Sequence, residues 1–270
     1  MPEGDTIFRA ARTLHRALSG KVVTKFETQL PQLTRVDYDT PLAGRIVEAV
    51  ESHGKWMSMR FSGDLTLLTH MLMSGSWHIY RPGEAWQRPR VQMRVAVYTQ
   101  DFVAVAFQVP IAEFHTSESL ARQRSLRGLG PDVLGADFDE AEAASRLRAR
   151  PELEVGVGLL TQSIMAGLGN VFKSEVCFAS GVNPFRSVGS LTGEELRALV
   201  ANAREFMRNS VVETSAVRRT TGRSDPSARF WVYKRRGESC RKCGTTVKAR
   251  KQGEEARTTF WCPQCQPIRP

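Results

Sequence analysis

The feature that most constrains this chain is a set of four cysteines near its C-terminus. They fall as Cys240-x2-Cys243 and Cys262-x2-Cys265, eighteen residues apart. A C-x2-C pair sets two thiolates on one metal from a tight knuckle, and two pairs complete a tetrahedral shell. Every position is then a protein ligand, which leaves none open for water. One structural Zn2+ per chain is therefore expected, folding a β-hairpin too small for a core of its own. Disulfides are the competing use of such pairs, and they belong to oxidising compartments. The opening Met1-Pro2-Glu3-Gly4-Asp5 lacks the basic segment and apolar run of a secretory signal, so a cytoplasmic location is expected. A four-cysteine ribbon is common among nucleic-acid proteins; it names a class and no reaction. Cys177, alone in an apolar stretch, reads as a buried structural cysteine.

The charge balance points the same way. The formal net charge is +10. From Arg218 to Lys251, twelve Lys or Arg face only Asp225 and Glu238, a local excess as large as that of the whole chain. A solvated basic tail and a phosphate-contacting surface both fit, and the second accounts better for the concentration of charge. Charge alone separates neither DNA from RNA nor binding from catalysis. No apolar run is long enough to span a membrane.

The chain falls into three textures. Ile7, Ala11, Leu14 and Leu18 recur on one face of a helix that ends near Gly20. From residue 20 to about 115 short alternating runs predict a β-sandwich or flattened barrel. Examples are Trp56 to Phe61, Leu65 to Thr69, Val91 to Tyr98 and Phe102 to Phe107. A polar, glycine-rich stretch over 116–136 reads as a linker. Beyond it helices are expected. Asp137-x-x-Glu140 and Thr192-x-x-Glu195 have the form of capping boxes. Leu159 to Ala166 and Val171 to Ala179 read as two helices joined by Gly167-Leu168-Gly169-Asn170. Residues 217–229 look flexible. The expected organisation is a catalytic β-sandwich domain over 1–115, a helical domain over 137–229 and a zinc finger over 230–270.

Three separated pieces occur together in this order: Pro2-Glu3-Gly4, Gly167-Leu168-Gly169-Asn170, and Arg257-Thr258-Thr259-Phe260-Trp261-Cys262-Pro263-Gln264-Cys265-Gln266. On these the chain resembles the formamidopyrimidine-DNA glycosylase/endonuclease VIII family over essentially its whole length. Met1-Pro2-Glu3-Gly4 and Phe61-Ser62-x-Asp64-Leu65-Thr66-Leu67 are more similar to the endonuclease VIII branch. The resemblance implies an α+β multidomain fold: a β-sandwich with flanking helices, a helix–two-turn–helix domain and a four-cysteine zinc-finger hairpin. It also implies damaged DNA as partner. One active site per chain suffices, so a monomer is expected.

The resemblance also implies roles. Pro2, once Met1 is removed, offers a secondary amine with an unperturbed pKa near ~8, so part of it is unprotonated at neutral pH. The implied chemistry is attack on the sugar C1′ and a Schiff base. Without that removal the nucleophile does not exist. Glu3 is implied to protonate the opening sugar ring. Lys55, in His53-Gly54-Lys55-Trp56, is implied to contact phosphate and take part in β-elimination, and Arg257 to clamp phosphate and support δ-elimination. Asn170 is implied as a phosphate contact that also suits an N-cap, and Glu175 as a carboxylate close to the catalytic amine. Met73 matches the apolar wedge that fills the space left by an extruded base. Arg127 stands beside Gly128, where the family carries a DNA-contacting arginine, which implies a contact shifted by one residue. Two departures stand out. The cysteine pairs are eighteen residues apart where sixteen is usual, which lengthens the hairpin tip. The stretch Phe107-Gln108-Val109-Pro110-Ile111-Ala112-Glu113 lacks the arginine of the formamidopyrimidine branch.

Three functions follow for test. The first is a bifunctional glycosylase/AP lyase for oxidised pyrimidines, cleaving by β,δ-elimination. The second keeps the chemistry and changes the substrate to oxidised purines such as 8-oxoguanine, or to pre-formed abasic sites. The third is a non-enzymatic zinc protein that binds DNA, which gives no reason for Pro2, Glu3, Lys55 and Arg257 to occur together.

Overall fold

The computed structural model describes residues 2–212, 218–223 and 225–268. The chain divides into two compact units, Met1–Arg127 and Gly128–Pro270. No helix among the described residues is long and apolar enough to cross a membrane.

The first unit opens with helix α1 (Gly4–Leu18). Strand β1 (Lys25–Thr28) follows, then α2 (Pro31–Asp39), β2 (Val47–His53), β3 (Trp56–Phe61), β4 (Leu65–His70), β5 (Ser76–Tyr80), β6 (Met93–Tyr98), β7 (Val103–Phe107) and β8 (Ile111–His115). The strands form two antiparallel sheets, β1-β6-β7-β5 and β2-β3-β4-β8. The apolar stripe of α1 (Ile7, Ala11, Leu14, Leu18) joins Met57, Met59, Phe61 and Leu67 from one sheet and Val95, Val97, Ala104 and Ala106 from the other in one core. Alternation along the strands is what lets each sheet give a row of side chains to that core. The opposite face of β7 is not polar. Val103, Val105 and Phe107 pack there with Tyr80 and Met93, and half-buried Trp86 packs against them. With both faces of β7 buried, its five residues are all apolar, which weakens the period-two signal in sequence.

The sandwich reading holds, with additions. Helix α2 starts with Pro31 in its first turn and buries Leu33 alone, too little to be visible as a stripe. Strands β1, β2, β5 and β8 were not separately expected. The stretch read as a linker contains two short helices, α3 (Ser117–Ala121) and α4 (Arg124–Arg127). Thr116 and Ser119 close a capping box at the start of α3.

The second unit carries α5 (Glu140–Arg148), α6 (Val155–Leu160), α7 (Asn170–Ala179), α8 (Gly193–Val212) and the hairpin β9 (Lys248–Gln252) and β10 (Arg257–Trp261). Its core joins Leu147, Leu159, Phe172, Val176, Leu199 and Met207. Thr192 opens α8 as expected: its hydroxyl accepts from Glu195 N at 3.1 Å while Glu195 Oε2 accepts from Thr192 N at 2.9 Å. The cap of α5 is Asp139, not Asp137; Asp139 Oδ1 accepts from Ala141 N and Glu142 N. The helix expected over Leu159 to Ala166 lies earlier, over α6. Gln162 ends it by competing for the backbone: its amide donates to Leu160 O and Leu168 O, and its Oε1 accepts from Gly167 N.

Candidate functional site

In the first unit the residues of interest gather at helix and strand ends. Pro2 is half-buried and directly precedes α1. Glu3 is fully buried at the N-cap position, where its carbonyl accepts from Thr6 N at 2.9 Å and its carboxylate makes no cap bond. Asp5, also fully buried, lies in the first turn and pairs with Arg9 at 3.5 Å. Two carboxylates lie out of water at this helix start; burial penalises their charge, and the positive end of the helix offsets part of that cost.

Lys55 occupies the two-residue turn between β2 and β3. Gly54 beside it has φ 60°, a left-handed value that glycine adopts without steric cost. The ladder sets Trp56 directly opposite His70. Burial, and then the Lys55 charge, pushes the His70 pKa down to about 4. The imidazole is therefore neutral at physiological pH, with Nδ1 accepting Leu72 N–H at 3.1 Å and the proton on Nε2. His70 thus anchors the loop that follows β4. In that loop Met71 is buried, while Leu72 and Met73 stand 45% and 57% exposed. Leu72 has φ 44°, a strained value for a non-glycine residue. The loop 71–75 and the turn 108–110 are neighbours, because Ser76 pairs with Phe107 and His70 with Ile111. Into that arginine-poor turn Arg88 reaches from another loop, donating Nη1–H to Gln108 Oε1 at 3.0 Å. Arg127 is exposed at the end of α4.

In the second unit Gly169, not Asn170, is the N-cap of α7. Asn170 is the first helical residue, and its Nδ2 donates to Thr258 O at 2.8 Å on the hairpin. Its Oδ1 is buried with no hydrogen-bond partner. Glu175 is fully buried and spends both oxygens on its own unit. It accepts from Trp231 N at 2.8 Å, Val232 N at 2.9 Å, Tyr233 N at 2.8 Å and the Thr220 hydroxyl. Burial pushes its pKa up, and these four donors pull it down. The segment that looks flexible in sequence is thereby held over its described part: Thr220 N also donates to Arg229 O at 2.9 Å. Residues 217 and 224 of that segment lie outside the described residues.

Arg257 begins β10 and donates Nε–H to Glu255 Oε2 at 2.8 Å. Gln252, its direct cross-strand partner, is buried. The four cysteines below the hairpin are brought together as expected, with sulfurs all within 4.8 Å of one another. Cys240 and Cys265 are 3.9 Å apart, and Cys243 and Cys262 are 3.4 Å apart. A tetrahedral Zn–S shell needs about 3.8 Å between sulfurs, so the donor set fits a thiolate-loving ion. A hydrogen bond from Thr245 lowers the Cys243 pKa to about 6, while burial raises those of Cys262 and Cys265. Gln266 locks the second knuckle: its Oε1 accepts from Cys262 N and its Nε2 donates to Val182 O, both at 2.9 Å. Phe178, Val232, Cys240, Val247 and Cys262 form a small shared cluster, so the ribbon borrows apolar surface from α7.

Residues 1–110 match the model of the formamidopyrimidine-DNA glycosylase N-terminal domain, and residues 129–221 that of its H2TH domain. A probable endonuclease 8 2 of Streptomyces coelicolor is 40% identical over 98% of this chain and 94% of its own length. The chain belongs to the formamidopyrimidine-DNA glycosylase/endonuclease 8 family. Another relative is a DNA-(apurinic or apyrimidinic site) lyase of Mycolicibacterium smegmatis, 36% identical over 98% of this chain and 99% of that one. Among solved structures, Lactococcus lactis Fpg bound to abasic-site DNA shares the fold with a TM-score of 0.83. It is 22% identical, with 98% of this chain and 100% of that one covered. The family's three parts are all present here: β-sheet domain, helical H2TH domain and a hairpin with four clustered cysteines.

Sequence reasoning passed over four residues that the structure brings forward: Asp5, His70, Leu72 and Gln252. Asp5 stands in the opening Met1-Pro2-Glu3-Gly4-Asp5, but only burial marks it, and the same holds for His70. Leu72 carries no local signal of its positive φ. Gln252 is polar in an exposed-looking basic strand, and nothing in the sequence shows that it is buried.

Proposed function

We propose that the chain is a bifunctional DNA glycosylase/AP lyase of base excision repair that acts on oxidised pyrimidines. The observation that carries this reading is the full-length likeness to endonuclease 8 proteins, together with a proline at position 2 that leads directly into a helix with a buried Glu3.

The Pro2 nitrogen, freed of Met1, attacks C1′, and the damaged base leaves with the electrons of the glycosidic bond and takes up the proton that the attacking amine gives up. Glu3 gives a proton to the ring oxygen as the C1′–O bond opens, and the product is an iminium. The iminium draws electrons from C2′. Loss of the C2′ proton expels the 3′-phosphate, and loss of the C4′ proton then expels the 5′-phosphate. Lys55 serves the first elimination and Arg257 the second, where a guanidinium holds phosphate oxygens bidentately and keeps its charge. Asn170 and Arg127 contact the DNA backbone. Leu72 and Met73 fill the gap left by the extruded nucleotide, and His70 holds their loop. Glu175 acts one step removed from the DNA, by fixing Thr220 and the stretch from Trp231 to Tyr233.

The cysteine cluster supplies a structural site for Zn2+, held by Cys240, Cys243, Cys262 and Cys265. The ion's chemistry there is to lock the hairpin's base. The absence of an arginine between Phe107 and Glu113 supports pyrimidine over 8-oxoguanine substrates. The lyase name of the Mycolicibacterium smegmatis relative supports a second reading, in which pre-formed abasic sites are the main substrate.

Borohydride trapping on a thymine-glycol duplex tests the proposal, with Met1 removal confirmed by mass. The expected result is a covalent adduct that disappears in Pro2→Gly. An adduct on an abasic duplex alone would favour the second reading, and none on either would leave a DNA-binding protein.

A further inference from the structure

Gln252 sits directly opposite Arg257, flanking the turn Gly253-Glu254-Glu255-Ala256. Directly opposed residues of an antiparallel pair present their side chains on the same face. Thr259, two residues along β10, shares that face. Gln252 and Thr259 are both buried, so this face is the one turned to the helical part of the same unit.

Every polar hydrogen and the acceptor of the Gln252 amide are engaged. Nε2 donates to Glu154 Oε2 at 2.9 Å and to Pro184 O at 2.8 Å, and Oε1 accepts from the Thr259 hydroxyl at 2.7 Å. Thr259 Oγ1 in turn accepts from the buried ammonium of Lys173 on α7, at 2.5 Å. Gly156 on α6 lies against the amide so closely that a Cβ there would collide with Gln252 Oε1. A buried amide with each of its groups directed at a fixed partner specifies one register. An apolar side chain in its place could slide. The network therefore ends at the residue directly opposite Arg257 across the hairpin.

We propose that Gln252 is a positioning residue for Arg257: it pins the neck of the hairpin so that the guanidinium is presented at one fixed place for the second elimination. This rests on the role given to Arg257 above. A loose neck would spread the position of Arg257, the first residue of β10. A displacement of about 1 Å is enough to cost a large factor in a positioned reaction.

The test uses full-length zinc-loaded protein on an abasic-site duplex. Strand ends are resolved as 3′-unsaturated aldehyde (first elimination) and 3′-phosphate (second), and borohydride trapping is measured in the same samples. Gln252→Leu removes the amide bonds. Gly156→Ala displaces the same side chain while leaving every partner in place, and decides the matter if Gln252→Leu fails to retain zinc. The expected result is trapping and first elimination within about twofold of the parent, with 3′-phosphate formation slowed on the order of tenfold. Arg257→Ala should show the same selective loss, more severely. An unchanged ratio of the two ends in folded, zinc-replete variants would overturn the role of Gln252. A parent that traps while Arg257→Ala still forms 3′-phosphate at the parent rate would overturn the reading of Arg257, and this one with it.

Discussion

Trp56 and His70 face each other across β3 and β4, their ring centroids 4.7 Å apart and their planes at 71°. The contact joins the Lys55 turn to the loop that carries Leu72 and Met73. With a pKa of about 4 against 6.5 for an unperturbed imidazole, His70 binds its proton more readily in the unfolded chain than in the folded one. Between those values the unfolded state holds more protons, so stability rises with pH and is lost as pH falls from 6.5 towards 4. Replacing His70 by Gln should remove part of this acid loss. The melting temperatures of parent and variant should converge as pH is lowered through that window. A gap that stays constant from pH 7 to 4.5 would contradict the assignment.

The gap-filling role proposed for Met73 requires that it matter on duplex DNA, where an extruded nucleotide leaves a gap, and matter less where no stack has to be filled. In Met73→Ala, single-turnover excision from a duplex should slow by roughly tenfold, while excision from a single strand changes by about twofold or less. Equal slowing on both would assign the residue to packing.

Glu175 tests whether a buried carboxylate can serve the site from a distance. Glu175→Gln keeps the shape but points an amide nitrogen at donors that need an acceptor. A cost of about 2–4 kcal/mol is expected. Urea denaturation should register it, and hydrogen exchange should locate the loosening at Trp231, Val232 and Tyr233. Full protection of these three amides in the variant would show that the carboxylate does not hold them.

Metal removal should act on the hairpin first. A chelator strong enough to strip the four thiolates should abolish the near-ultraviolet signal of Trp231, which packs against the cysteine cluster, and weaken DNA binding by about tenfold or more. Restoring one equivalent of zinc should return both. DNA affinity that survives with no metal bound would argue against the ribbon as a DNA contact.

The stripe on α1, the strands β3, β4, β6 and β7 and the capping box at Thr192 were all legible because their signals are local. Each depends on spacing along a single element. The errors were local rules with a nearby competitor. Asp139 outcompetes Asp137 for the start of α5, and the Gln162 side chain stops a helix that apolar periodicity would have continued. Asn170 has the chemistry of an N-cap, yet its amide is drawn to Thr258 O instead.

By itself the sequence determined the class of fold and the four-cysteine centre, and through its resemblance offered Pro2, Glu3, Lys55 and Arg257 as candidate reacting groups. Those depend on residue identity at fixed spacing, which a linear chain displays. Tertiary structure alone decided which polar groups lie out of water. Nothing adjacent in the chain marks Glu175 as the acceptor for a segment more than fifty residues away, or His70 as neutral beside Lys55. Gln252 likewise becomes a clamp only because Glu154, Pro184 and Thr259 converge on it. Burial and long-range hydrogen bonding arise when distant segments are brought together. They set the cost of each charge and the place of each side chain, and no window of sequence contains them.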